Sequence, residues 1–364
     1  MTKLMDLCDI QYGYAFDSGS FTDDDSYPQL VRIRDVKRGY SETFYSGDYP
    51  KEYVLSAGDL LIGMDGEFNI ARWKVDGALL NQRVCKIIAK DTADGEFLRF
   101  ALSKALKEIE ARTSFATVKH LSAKELNKLE IPVPSYEKQK KISEILHRIE
   151  GIIEFRQNEM DSLDNLIKAR FVELFGDLEK NDKGWDERPL LDVCNQLKRY
   201  PTFCNMDYLE QGTRVIRIGN ILLDGHMDAD DNNYVFVYDT VNEDFPDTVI
   251  SINDIVMAVR GDGSAAKRIG IIQEEKLVGA NISPNLIRIQ ANSGVVAPLF
   301  LFHYLISEVG QKRLDSYVNK TAKKNIAAKD IAKVKTPVPE IRLQNEYVEF
   351  VKQVDKSKVI EIAA

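Results

Sequence analysis

The chain has 364 residues, 44% of them hydrophobic, which suffices for two ordinary cores, and no apolar run long enough to cross a bilayer. Its formal net charge of −8 excludes nucleic-acid binding by bulk attraction, so a DNA reader of this charge must gather its cations on one face or borrow them from a partner. Cys8, Cys85, Cys194 and Cys204 form no Cys-x-x-Cys pair and indicate neither a disulfide framework nor a zinc site, and the Met-Thr-Lys-Leu-Met-Asp start lacks the regions of a signal peptide; the chain reads as soluble and intracellular.

Short β-like runs at 29–33, 59–63 and 84–88 open the chain, separated by Gly, Asp and Asn loops. Alternation puts Arg32 and Arg34 on one face of the first run, with Lys37 and Arg38 just beyond it. A helical pattern follows at 96–112. A segment carrying Lys119 and His120 then leads to a Pro132-Val133-Pro134 hinge.

Beyond the hinge lies a long, proline-free amphipathic helix. Its apolar positions step by four and three through Ile142, Leu146, Ile149, Ile153, Met160, Leu163, Ile167 and Leu174, widened by Ile145, Ile152 and Leu166. Gly151 is its one weak point, and Arg156 and Arg170 on the seam suit a two-helix contact with a solvent edge. At about 1.5 Å per residue, about forty residues reach roughly 60 Å, so the helix reads as a spacer.

The second half repeats the first. Leu4-Met5-Asp6-Leu7-Cys8 is answered by Leu190-Leu191-Asp192-Val193-Cys194, and Leu30-Val31-Arg32-Ile33 by Val215-Ile216-Arg217-Ile218. Gly58-Asp59-Leu60-Leu61-Ile62 returns as Asn253-Asp254-Ile255-Val256-Met257, Pro132-Val133-Pro134 as Pro337-Val338-Pro339, and Gln139 as Gln344. Strands are expected at 214–218, 254–259 and 286–290 and a helix at 298–317; the last helix carries Tyr347, Phe350, Val351, Val354 and Val359 on one stripe. Runs of strands closed by helices predict an α+β fold in each copy. The expected plan is a domain at 1–134, a spacer helix at 135–178, a second domain at 179–339 and a shorter helix at 340–364, as if a tail were missing. If the two helices pair antiparallel, the result is a dumbbell with a pseudo-two-fold.

Two similar but unlike domains on a rod suit a reader of two separated marks on a linear polymer, and duplex DNA repeats its faces every turn, about 34 Å. Here a resemblance becomes specific. The segment with Lys119-His120-Leu121-Ser122, Leu126, Leu129, Pro132-Val133-Pro134 and Gln139-Lys140-Lys141-Ile142, and its second occurrence from Lys324-Asn325-Ile326 through Pro337-Val338-Pro339 to Gln344, resembles the boundary signature of specificity subunits of Type I restriction-modification systems. It covers essentially the whole chain. The chain departs from the family's pattern in having Lys138 and Leu343 where an acidic residue usually precedes the glutamine.

The resemblance implies two target recognition domains joined by two long antiparallel coiled-coil spacer helices in a prokaryotic, cytoplasmic, non-catalytic subunit. Each domain would read one half of an asymmetric gapped site in double-stranded DNA. The helical pair would set the gap and dock two modification (methyltransferase) subunits, with Ile142, Leu146, Ile149, Ile153, Met160, Leu163 and Ile167 on the first helix and Phe350 and Val354 on the second forming the helix-pair or partner interface. No cofactor is expected on this chain: S-adenosylmethionine, ATP and Mg belong to the modification and restriction (translocase/endonuclease) subunits.

Chemistry of the chain's own is not in evidence in the sequence. There is no Asn/Asp-Pro-Pro-Tyr/Phe motif, and Gly63-Met64-Asp65-Gly66 and Gly261-Asp262-Gly263-Ser264 lack phosphate-loop spacing. His120, His147, His226 and His303 show no metal-ligand spacing, and Asp23-Asp24-Asp25 reads as a solvated loop.

Candidate DNA contacts are Arg32, Arg34, Lys37 and Arg38, with Arg217 in the place of Arg32; recurrence in both copies suits a shared structural pair or a phosphate contact better than base reading, which should differ between domains. The loops after 59–63 and 254–259 have diverged at one shared position, offering Asn69 in the first and Arg260, Lys267 and Arg268 in the second, where Arg can pair with guanine and Asn with adenine. The same residues would serve equally as solvated turn charges. Lys119, Lys323 and Lys324 suit phosphate contacts that set register. Tyr12, Tyr14 and Phe16 share one face and read first as core or turn packing. A two-headed scaffold that never touches DNA is the rival reading of the same plan, and a self-contained enzyme is disfavoured by the missing motifs.

Overall fold

The structure is a computed structural model describing residues 1–112, 120–200, 207–259, 268–318 and 325–363. The chain divides into two compact units, Met1–Gln157 and Asn158–Ala364, and the division falls inside one continuous helix.

Unit 1 runs β1 (Thr2–Lys3), α1 (Leu4–Leu7), β2 (Cys8–Tyr12), β3 (Phe21–Thr22), β4 (Leu30–Val31), β5 (Phe44–Tyr45), β6 (Leu60–Gly63), β7 (Ile70–Arg72), β8 (Leu79–Leu80), β9 (Val84–Ala89), α2 (Gly95–Arg112), α3 (Ala123–Lys128), β10 (Glu130–Ile131) and the start of α4 (Tyr136–Phe175). An antiparallel sheet of order β2-β9-β6-β7 forms its centre. Because strand side chains alternate, this sheet supplies two cores. Leu60, Ile62, Cys85 and Ile87 pack under Leu98, Leu102 and Leu106 of α2. Leu61 and Val84 face the other way, onto Val31, Trp73 and Leu80. β6 is therefore apolar and buried on both faces, and β4 pairs in parallel with β8 over the second core.

Unit 2 takes the end of α4 and continues through β11 (Asp186–Pro189), β12 (Cys194–Arg199), β13 (Thr213–Ile216), β14 (Val235–Val237), α5 (Val241–Asp244), β15 (Ile255–Ala258), β16 (Ile269–Ile271), β17 (Asn281–Ile282), β18 (Leu286–Ala291), α6 (Pro298–Ile306), α7 (Glu308–Asp315), α8 (Ala328–Ile331), β19 (Lys335–Val338) and α9 (Ile341–Ala363). Its sheet order, β12-β18-β15-β16, reproduces that of unit 1 element for element. So do the parallel β13–β17 pair and the antiparallel β11–β19 pair, the counterpart of β1–β10. The alternation recurs too: Ile255 and Met257 join one core, Val256 and Ala258 the other.

Matching side chains hold matching turns. The Asp59 carboxylate accepts from the Ser56 N–H at 2.9 Å and pairs with Lys86 across the sheet at 2.7 Å. Asp254 accepts from the Ser251 N–H at 2.7 Å and pairs with Arg288 at 2.6 Å. In each turn the preceding residue, Gly58 or Asn253, sits at positive φ, 94° and 66°.

Three local expectations change. The run at 29–33 ends as a strand at Val31, because the Arg32 N–H turns to the Asp35 carboxylate (3.0 Å) and a 3₁₀ turn follows; Arg32 and Arg34 are thus not on a strand face. The helix at 298–317 is broken after Ile306, where the Ser307 hydroxyl accepts from the Gly310 N–H (3.2 Å) and starts α7.

The long apolar stripe of α4 is the third. In unit 2, Ile167, Phe171 and Phe175 of α4 pack against Tyr347, Val351 and Val354 of the antiparallel α9, with Arg170 bonded to Glu346 at 2.5 Å. Met160 and Leu163 are half-buried. Earlier in α4, within unit 1, Ile142, Ile149, Ile152 and Ile153 are exposed, the last to 62%, and only Leu146 is half-buried. After Val354 the sequence of α9 is polar over Asp355-Lys356-Ser357-Lys358, and Lys358 pairs with Asp164 of α4 at 2.7 Å. Phe350 is half-buried, with the Arg170 guanidinium 5.7 Å from its ring centre.

Candidate nucleic-acid interface

In unit 1 the end of β6 meets two turns. The backbone beyond Gly63 is tied on both sides, the Met64 N–H donating to the Arg83 carbonyl (2.8 Å) and the Leu121 N–H to the Met64 carbonyl (2.7 Å). A Cβ on Gly63 would lie 3.1 Å from Ile33 of the 3₁₀ turn, so that turn, the 64–69 loop, the 81–83 turn and His120 form one rim. Charges of both signs collect there. Arg83 Nη1 lies 3.2 Å from His120 Nδ1 and its Nε 3.6 Å from Asp65, which itself bonds His120. Lys37 stands 3.8 Å from Glu67.

The sequence-selected cations divide on this rim. Arg32, Arg34, Lys37 and Arg38 are exposed, Arg34 beside Asp35 and Arg38 beside Glu42, each at 3.8 Å. Asn69 is half-buried, its Nδ2 donating to the Glu67 carbonyl (3.2 Å) and its Oδ1 buried without a partner among the described residues. Lys119 lies outside the described residues. Tyr14 packs edge-on to Phe16 at 5.1 Å; Phe16 is buried, and the Tyr12 hydroxyl reaches Asn127 at 3.3 Å.

The matching rim of unit 2 is built by the same bonds. The Val259 N–H donates to the Asn285 carbonyl (2.8 Å) and the Ile326 N–H to the Val259 carbonyl (3.3 Å). Among its described residues, Arg217 and Arg268 are committed to backbone. Arg217 Nη2 donates to the Asn233 carbonyl (3.0 Å), and its guanidinium lies 5.6 Å from the Tyr208 ring; Arg268 Nη1 donates to the Ile221 carbonyl. Arg260, Lys267, Lys323 and Lys324 lie outside the described residues.

The rims carry groups that sequence reasoning passed over, above all Arg83 and Asn285. Aligning Gln82-Arg83-Val84 with Pro284-Asn285-Leu286 through the repeat would have found them. Elsewhere, burial pushes the Cys8 thiol up to about 11 and those of Cys85 and Cys194 up to about 12, so these three are not nucleophiles at neutral pH. Among the described residues no group of three or more His, Cys, Asp or Glu could hold a metal, and no helix is long and apolar enough to cross a membrane.

Comparison with known proteins agrees with this duplicated architecture. Residues 1–165 and 182–363 match the family described as Type I restriction modification DNA specificity domain. The chain is 31% identical to the EcoBI specificity subunit of Escherichia coli, across 95% of this chain and 77% of that one. It is 23% identical to the MjaVIII specificity subunit of Methanocaldococcus jannaschii, across 86% and 75%. Among solved structures, the S subunit of a Type I restriction-modification system from M. genitalium superposes with a TM-score of 0.54 at 17% identity, across 99% of this chain and 90% of that one. A chain from a study of complex assembly and conformational transition of the type I R-M system gives 0.50, also at 17% identity, across 100% and 91%. With the family matched over both copies of its repeat, the chain belongs to the Type I restriction-modification DNA specificity family.

Proposed function

We propose that this chain is the DNA sequence-recognition subunit of a Type I restriction-modification complex, with each unit reading one half of an asymmetric, gapped site. The observation that carries this reading is the exact recurrence of one sheet order and one set of rim hydrogen bonds in two units whose rim side chains differ. A shared scaffold with unlike side chains is what two different half-sites require.

The subunit itself is non-catalytic in this reading. S-adenosylmethionine, ATP and Mg act on modification and restriction subunits that it recruits, and its helices set the gap and dock two modification subunits. The exposed apolar stripe from Ile142 to Phe155 supports such docking, since contiguous exposed apolar surface marks an interaction site. The net charge of −8 and the ion-paired arginines of the unit 1 rim leave much of the phosphate neutralisation to those partners.

Methylation sequencing of a host expressing the chain with its modification partner tests the reading. A gapped, asymmetric adenine motif is expected; its absence refutes the assignment. Gel shifts across a salt series separate it from a scaffold that ignores DNA, because a DNA reader loses affinity as salt rises.

A further inference from the structure

We propose that Arg83 in unit 1 and Asn285 in unit 2 are specificity-determining residues of the two recognition units, Arg83 reading a guanine and Asn285 an adenine. The inference rests on the DNA-recognition reading above and names two of its contacts.

The two residues occupy one structural position. Each stands in the turn that enters the long central strand, immediately before a fully buried anchor, Val84 or Leu286. Each turn is closed by the same bond, Val84 N–H to the Asn81 carbonyl (3.2 Å) and Leu286 N–H to the Ser283 carbonyl (3.0 Å). Each residue's own carbonyl holds the strand end opposite, at Met64 and at Val259. The same main-chain bonds thus hold both turns, although of the two residues only Arg83 stands at positive φ, and both side chains are exposed.

Each turn is also stiffened for presentation. Arg83 keeps φ at +72°, a conformation that favours glycine or asparagine and costs a larger residue free energy, yet an arginine stands there. Asp65 and His120 flank its Nε and Nη1. A guanidinium held in this way has lost much of its rotamer freedom before a ligand arrives. In unit 2 the Arg199 guanidinium holds the turn through the Pro284 carbonyl, at 3.3 and 3.4 Å.

The pair of side chains fits the task. A guanidinium matches the two acceptors of guanine, O6 and N7, and a carboxamide matches the donor and acceptor of adenine, N6 and N7. A phosphate grip would lack a charge at asparagine in one copy and be opposed by the flanking carboxylate of Asp65 in the other.

The test uses the full chain assembled with its modification partner. Arg83→Asn, which tolerates positive φ, and Asn285→Ala are each profiled by methylation sequencing beside the parent complex. The expected result is relaxation or change at one base position of one half-site, a different half for each variant. In competition between the parent site and a site altered at that base, discrimination falls about 5- to 150-fold while the salt slope of binding stays unchanged. An unchanged motif, or a uniform loss of affinity across sequences with a shallower salt slope, overturns the proposal. If Arg83→Asn does not assemble, Arg83→Gly decides by the same criteria. A parent complex that gives no bipartite motif refutes the functional reading itself; a parent motif that both variants preserve refutes only this inference.

Discussion

Gln139 and Gln344 make the same three hydrogen bonds in the two units. Gln139 Oε1 accepts from the Asp94 N–H at 2.9 Å, and its Nε2 donates to the carbonyls of Thr92 and Pro134. Gln344 accepts from the Ala297 N–H at 2.8 Å and donates to Val295 and Pro339. Both amides are buried, and each clamps the start of a packed helix to the proline hinge before the next one. Gln344→Ala strands one N–H and two carbonyls, and a buried group left unpaired costs about 1–3 kcal/mol. Chemical denaturation is expected to show a loss of at least about 2 kcal/mol, with faster amide exchange at the start of α6.

The two sheet ion pairs predict unequal costs. Arg288 and Asp254 are both buried, and burial raises the Asp254 carboxyl above its ordinary range despite the Arg288 guanidinium beside it. Removing that carboxylate abandons a charge in the interior, so Asp254→Ala is expected to cost about 3–5 kcal/mol. Asp59→Ala is expected to cost less, because Lys86 keeps access to water. Paired urea titrations of the two variants measure the difference.

Acid sensitivity should centre on His303. It packs against Phe302 and Tyr347, with the Tyr347 hydroxyl 2.6 Å from Nδ1, and burial, reinforced by the positive charges of His226 and Lys358, brings its pKa from 6.5 down to about 4. Above pH 6.5 the ring is neutral in the folded and unfolded chain alike. Between 6.5 and 4 the unfolded chain takes up a proton that the folded one refuses, so stability falls as pH drops through that window, by up to about 3 kcal/mol. Urea midpoints at pH 7 and 4.5 should converge in His303→Asn relative to the parent.

The exposed stripe on α4 makes a prediction of the opposite kind. Ile152 and Ile153 are 59% and 62% exposed, and exposed substitutions usually shift stability by less than about 0.5 kcal/mol. Ile152→Ser with Ile153→Ser should leave the melting temperature of the chain unchanged and weaken co-purification with the modification subunit. A lowered melting temperature would instead mark these residues as part of the fold.

The repeat was legible in the sequence because its anchors are local and paired: Asp59 with Asp254, Gly58 with Asn253, and the hinge prolines with the glutamine that follows. The extent of the helix contact was not, since periodicity in α4 reports an apolar face but not how far the partner's face continues. The strand at 29–33 overshot for a similar reason: alternation cannot see the Asp35 carboxylate that turns the chain at Arg32. Among the cations, Arg217 and Arg268 look free in sequence but are spent on the carbonyls of Asn233 and Ile221, partners that exist only once distant turns are folded together. Arg83 escaped notice because its surroundings, Asp65 and His120, come from two other segments.

The turn preceding β9, and its twin preceding β18, are closed by main-chain bonds to which the side chains of Arg83 and Asn285 contribute nothing. Side chains at Arg83 and Asn285 can therefore be exchanged without disturbing what supports them. A lineage carrying this architecture is free to rewrite one half of its vocabulary while the other stays intact, so new combinations can arise one word at a time.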